Sequence, residues 1–292
     1  MRITGNRIID LSAAATAKNQ IQVAAASAEV SSGLHVARAS DDPTAWVAAE
    51  RAKLHRTLEQ ASGSAVAASH ERLAETDGAL ATIQDVMAQV RTLAVQGATT
   101  TYTTAQRAGI AVEVRALFGT ALASANSQAS DGEYLLAGSQ SLAAPFDAAG
   151  NYLGDNQTRD VPITESEFST ATVSGGDLTI QGGVDVFQLL DRVALALEAD
   201  DQVAVASTLD DLETAVNQIS LARARGGGAM NVFEQTRIAQ TQLDEHLSSE
   251  ISRFVEGDTA AAASDLAKAS QALEVSRAVS AHIIGLLDPR GS

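Results

Sequence analysis

Over most of its length the chain places apolar and small residues at alternating intervals of three and four, the spacing that lines one face of an α-helix. In the first arm this stripe is Ala14, Ala17, Ile21, Ala24, Ala28 and Ser31, and only Ile21 is large. Ser31-Ser32-Gly33 ends it, because glycine accepts the left-handed conformation at a helix C-terminus. Ser40-Asp41-Asp42-Pro43 then starts a second helix, with a Ser or Asp side chain capping free amides and proline tolerated at the first helical position. From Thr44 to about Gln96 no proline intervenes. Across this stretch Val66, Ser69, Leu73, Thr76, Leu80, Ile83, Met87, Val90 and Ala94 keep the spacing of a coiled-coil seam. As one helix the segment would extend about 80 Å, which predicts a rod with Leu73, Leu80, Ile83, Met87 and Val90 in its core.

Gly97 and the threonines from Thr99 to Thr104 predict a turn, and Thr103 with Gln106 has capping-box spacing. A third helix follows through Ile110, Val114, Leu117, Ala121 and Ser124 to about Ala129. From Asp131 to Gly183 the helical period disappears. Three short β-prone runs take its place: Val161-Pro162-Ile163, Phe168 to Val173 and Asp177 to Ile180. Pro162 confines its strand to an edge. Helix returns over Phe187 to Leu197 and at Val205, Leu209, Leu212, Val216 and Ile219. Gly226-Gly227-Gly228 reads as a turn before a further helix carrying Phe233, Gln240, Leu243, Leu247 and Phe254. The last helix has the stripe Ala262, Leu266, Ala269, Leu273, Ser276, Ser280, Ile283 and Leu287, and Asp288-Pro289 ends it.

The expected fold is mainly α: a long coiled-coil-like rod of helices from both chain ends, with a small inserted β-containing domain. Its expected parts are an N-terminal assembly helix (1–32), two halves of a helical rod (33–130 and 186–257), a small outer domain (131–185) and a C-terminal assembly helix (258–292).

Composition sharpens this picture. Alanine fills 57 of 292 positions and only ten residues are aromatic. Alanine favours helix because it loses no side-chain entropy, but it buries little. Ordering a residue costs about 1–2 kcal/mol of backbone entropy, whereas a buried methyl returns roughly 0.8 kcal/mol. Beyond Ile3, Ile8, Leu11 and Ile21 the first thirty residues hold few large apolar groups, so the termini are expected to be mobile in a lone monomer and to order on assembly. Ile8, Leu11 and Ile21 in the first helix, and Leu266, Leu273, Ile283 and Leu287 in the last, are the candidate residues for packing between subunits.

The formal charge is −16, and thirteen acidic residues against Arg159 and Arg192 concentrate it between Asp131 and Asp201. An acidic chain repels phosphate backbones, so neither nucleic acid nor membrane insertion is expected. No uncharged apolar run approaches the roughly 20 residues of a membrane span. There is no cysteine. Asp41 and Asp42 are explained by the helix start that follows them. His35, His55, His70, His246 and His282 lack ligand spacing, Gly226 to Gly228 lack the Gly-Lys-Ser/Thr of a phosphate loop, and Ser174-Gly175-Gly176-Asp177 reads as a hairpin turn. No catalytic, cofactor-binding or metal site is expected, and the chain reads as a structural protein rather than an enzyme. Two other readings stay open at this point: a helical bundle with no assembly role, and an amphipathic helical protein coating lipid or polymer granules.

Four stretches resemble the flagellin-like axial proteins of the bacterial flagellum. They are Ser31-Ser32-Gly33-Leu34 with Ser40-Asp41-Asp42-Pro43, then Gln89 to Gln96, then Asn126 with Asp131 to Gly138, Pro145-Phe146 and Tyr152-Leu153-Gly154, and finally Ala222 to Gly227 with Met230-Asn231. The third stretch and the start Met1-Arg2-Ile3 are more similar to the members that join hook to filament than to filament flagellin, which stays the alternative. The resemblance implies a ring of identical subunits, contacts with the hook-side junction protein and with flagellin, and an export chaperone on the C-terminal helix. It also implies export without a cleaved signal and an extracellular location in the flagellum.

Overall fold

The computed structural model describes residues 2–164 and 167–287. Among the described residues seven α-helices and two short strands follow one another: α1 (Arg2–Ser32), α2 (Pro43–Gly97), α3 (Thr104–Ala125), β1 (Asp160–Pro162), β2 (Phe168–Thr170), α4 (Val186–Glu198), α5 (Gln202–Ser207), α6 (Leu209–Val255) and α7 (Thr259–Leu287). Each boundary has a local cause. Gly33 leaves α1 at φ +70° and donates its N–H to the Glu29 carbonyl at 2.8 Å. The Asp42 carboxylate accepts the amides of Thr44 and Ala45 at 2.9 and 3.0 Å, which satisfies the first free donors of α2. Thr103 and Gln106 form the expected reciprocal capping box of α3. The Asp185 carboxylate accepts the Gln188 amide at the start of α4, and that of Asp201 accepts the amides of Val203 and Ala204 at the start of α5.

The chain folds as two compact units, residues 1–58 with 243–292 and residues 59–242. The terminal unit thus takes in more chain than the two assembly helices expected over 1–32 and 258–292, and the segment 131–185 is part of the larger unit. The seam read along α2 is the spine of that larger unit: all nine residues from Val66 to Ala94 are buried. Opposite them stand Ile110, Val114 and Ala121 of α3, Phe187, Leu190 and Val193 of α4, and Leu212, Ile219 and Phe233 of α6. Phe187 lies between two other rings, 5.8 Å from Phe118 edge-on and 4.8 Å from Phe146. By length and composition α3 could cross a bilayer, yet it packs on α4 and gives its buried face to this core.

Polar groups lock the core in register. Arg223 of α6 grips both oxygens of Asp77 at 2.8 and 3.0 Å and donates to Gln84 at 2.7 Å, a bidentate bond between α6 and α2. Arg107, nearly fully buried, donates to Asp200 and to the Thr99 carbonyl. Asp200 sits at φ +59°, in the left-handed region, and accepts from Thr104 as well. These bonds, from Arg107 first and Thr104 second, hold its carboxyl below the ordinary value.

The outer part of this unit is mostly turns. β1 and β2 pair antiparallel, with Val161 opposite Ser169. In a two-stranded sheet both strands are edges, so Pro162 breaks no ladder. The third β-prone run is not a strand: Gly175–Leu178 is a short 3-10 turn capped by Ser174, whose hydroxyl accepts the Gly176 amide, and Ser174-Gly175-Gly176-Asp177 is therefore no hairpin turn. The Gln218 side chain of α6 reaches into this region. Its amide donates to the carbonyls of Asp177, Thr179 and Val184 and accepts the Val184 amide.

Two other expectations fail. α3 stops at Ala125 rather than Ala129, because Asn126 turns its side chain to the amide and carbonyl of Phe146. Gly226-Gly227-Gly228 makes no turn; α6 is one helix of 47 residues through all three.

The smaller unit contains the α1–α2 and α6–α7 connections. Leu34 and Glu256 form an antiparallel bridge, His35 N–H donates to the Val255 carbonyl at 2.8 Å, and Gly257 N–H donates to that of Gly33 at 3.0 Å. Beside these bonds Val36, Ala49 and Val255 are buried, with Leu34, Trp46, Ile251 and Phe254 packed around them. Arg56 holds both oxygens of Asp244 at 2.8 and 3.1 Å.

Candidate assembly interface

In the smaller unit α1 and α7 pack as an antiparallel pair: Thr16 lies against Ser276 and Ser280, Asn19 against Ala272, and Gly33 against Gly257. The inward face of α1 is Ile9, Ser12, Thr16, Asn19, Val23, Ala26 and Val30, again at three and four, and each of these is half-buried. From α7 it meets Ala262, Leu266, Ala269, Leu273, Ser276, Ser280 and Ile283, the stripe read from the sequence. The seam is thin and hydroxyl-bearing. The Thr16 hydroxyl bonds those of Ser276 at 2.9 Å and Ser280 at 3.2 Å, and Asn19 donates to the Ala272 carbonyl at 3.2 Å.

The stripe expected for α1, from Ala14 to Ser31, is not this face; all six of its residues are exposed. The candidate packing residues divide accordingly. Ile8, Leu11 and Ile21 are 48%, 68% and 70% exposed. In α7, Leu273 is buried and Leu266 and Ile283 are half-buried against the chain's own α1, while the side chain of Leu287 lies outside the described residues. The sequence reading passed over Val275, Val279 and Ile284 of α7, which are exposed. The 3-4 spacing of Lys268, Ala272, Val275 and Val279 was a readable second stripe, masked by the stronger leucine pattern beside it; Ile284, five residues after Val279, lies off it.

Two hollows flank the pair. One, of about 580 Å³, is walled by Ala15 and Asn19 of α1 and Gln271, Ala272, Val275 and Val279 of α7. The other, of about 540 Å³, lies where Ile21, Ala24 and Ala28 face Leu34, His35 and Arg38. Its rim carries His35 Nδ1, 2.8 Å from the Glu29 carboxylate. Small residues and methyl groups in both allow close approach of another helix, with Asn19, Lys268 and Gln271 at the first and Glu29, His35, Arg38 and Asp41 at the second. The rod-core residues Leu73, Leu80, Ile83, Met87 and Val90 are all buried in the larger unit, far too enclosed to touch a partner. Among the described residues no group of three or more His, Asp or Glu side chains could hold a metal ion.

Residues 7–141 match the family model of the bacterial flagellin N-terminal helical region. Flagellin FlaB1 of Treponema pallidum (strain Nichols) is 26% identical over 245 residues, which is 82% of this chain and 81% of that protein. Among solved structures, a flagellar hook-associated protein from Vibrio parahaemolyticus superposes with a TM-score of 0.68 at 18% identity, over 74% of this chain and all of the other. FlgL from Xanthomonas campestris gives 0.61 at 20% identity, over 70% and 99%. Hook-associated protein 3 from Legionella pneumophila gives 0.61 at 14%, over 70% and 98%. The chain is thus similar to the bacterial flagellin N-terminal helical region over residues 7–141, in a fold shared with hook-associated protein 3.

Proposed function

We propose that this chain is a structural, non-catalytic subunit of the bacterial flagellum that joins hook to filament by packing its terminal helices against neighbouring copies. The observation that carries the reading is the division of α1 into two stripes. One is used inside the chain; the other, with Ile8, Leu11 and Ile21, is left open although such side chains gain roughly 1.5–3 kcal/mol each when buried. The likeness to hook-associated proteins of the same fold supports the choice of junction. Under this reading the subunits form a ring with the hook-side junction protein on one side and flagellin on the other. The chain leaves the cell through the flagellar export channel, and a chaperone covers the C-terminal helix before export.

Filament flagellin with a small outer domain is the second reading, favoured by the 26% identity to a flagellin. Deletion separates the two. Loss of a junction subunit leaves hooks on the cell and sheds flagellin into the medium; loss of a sole flagellin leaves hooks and no filament protein to shed. Intact filaments on the deletion strain would defeat both.

A further inference from the structure

Gly226, Gly227 and Gly228 lie near the middle of α6, a helix that runs without interruption from Leu209 to Val255. Glycine is a poor occupant of a helix interior because it gives up the most backbone freedom on ordering. Relative to alanine, each one shifts the local helix equilibrium by roughly a factor of four to five. Glycine is retained in such places when a side chain would not fit or when φ must be positive. Neither reason applies here. A Cβ on Gly226 would meet Val173 Cγ2 at 3.4 Å, an ordinary contact, and on Gly227 or Gly228 it would meet nothing within 4 Å. None of the three has a positive φ. Gly78, Gly109 and Gly119 also stand in open space within α2 and α3, but singly, so each weakens one turn once. Three in succession weaken the same turn by about a hundredfold.

The chain on both sides is firmly held. Before the glycines, Leu212, Ala215, Ile219 and Ala222 are fully buried, Gln218 makes its backbone bonds, and Arg223 grips Asp77. After them Phe233 is fully buried and Gln240 donates to Ser62. In between, Arg225 donates to Asp177 of the 3-10 turn at 3.1 Å. Arg225, Gly226 and Ala229 form one wall of a groove of about 740 Å³, whose other wall holds Phe168, Thr170 and Val173.

We infer that Gly226–Gly228 is a joint at which α6 opens and recloses while its flanks stay docked, with the Arg225–Asp177 pair as its latch. Opening frees the amides from 226 to 232, which lose their carbonyl partners one turn earlier. It also removes one wall of the groove, so the joint and the outer segment around Phe168 to Asp177 move together.

Amide exchange on the full-length protein tests this. Residues 226–232 should exchange at least tenfold faster than 212–222. Alanine at both open positions, Gly227→Ala with Gly228→Ala, should slow exchange there about 20-fold. Arg225→Ala should speed it several-fold, and unchanged exchange at 73–90 confirms that each variant is folded. Exchange at 226–232 no faster than in the flanks, or unmoved by the two alanines, overturns the joint. Exchange unmoved by Arg225→Ala overturns the latch.

Discussion

Gln218 is buried with its whole amide engaged by the chain from Asp177 to Val184, so one side chain bonds four backbone groups of that segment. Gln218→Leu keeps the volume and removes every partner. Because a buried unsatisfied group costs about 1–3 kcal/mol, the larger unit should lose about 2–4 kcal/mol in urea unfolding, with exchange rising first around 177–184. Asp200 acts through charge. Its carboxyl is held below the ordinary value by Arg107 and then by Thr104. A depressed folded pKa stabilises fully above the unfolded value of about 3.9, and that share disappears as pH falls through the folded value. Asp200→Asn, which tolerates the same positive φ, should therefore melt lower than the parent at pH 7 and by nearly the same margin down to pH 5. The margin should narrow at pH 2–3. A margin constant across the whole range would show that the charge contributes nothing.

At the scale of the element, α1 has two faces with different tasks. Val23→Glu, on the inward stripe, should separate α1 from α7 and remove the part of the helical signal that the pair, marginal in the lone chain, contributes. Leu11→Glu with Ile21→Glu, on the open stripe, should leave that signal intact and abolish polymer in sedimentation. If the outward pair instead unfolded the monomer, the assignment of faces would be reversed. The contrast between α1 and α2 also explains what the sequence could tell. In α2 the large residues Leu73, Leu80, Ile83 and Met87 stand on a single seam, so burial on that face outweighs any alternative, and all nine seam positions are buried. In α1 alanines occur on several faces at once, and a methyl group here or there scarcely distinguishes them. The stripe selected from Ala14 to Ser31 was the exposed one. Gly226–Gly228 misled for the opposite reason: propensity favours a break, but buried anchors on both sides hold the helix through it. The Asp177–Ile180 run has strand-like residues, yet the Ser174 hydroxyl caps a 3-10 turn over Gly175–Leu178, and Gly175 lies so close to the Leu136 carbonyl that no Cβ fits there.

For the whole molecule, apolar burial is unequally shared. Every one of the largest fully buried side chains, from Leu73 to Phe233, belongs to residues 59–242. In the α1–α7 seam Leu273 is the one large residue that is buried among those described, while Ile9, Val23, Val30, Leu266 and Ile283 are only half-buried between alanine, serine and threonine. In dilute monomer, residues 5–30 and 260–287 should therefore exchange their amides rapidly while 73–94 stay protected, and addition of preassembled polymer should slow the ends. Strong protection of both ends in the monomer would contradict an assembly-dependent pair.

Trp46 is the only tryptophan, half-buried beside Val36 and Val255, with the Lys53 ammonium 5.5 Å from its ring centre. Tyr102, Tyr134 and Tyr152 all belong to the other unit. The protein is thereby wired with two native chromophores that do not overlap in territory. Indole emission follows the small cluster next to the terminal helices, and tyrosine absorbance follows the larger core. A polymerisation that touches only the ends will change the colour of the indole light and leave the tyrosine spectrum as it was.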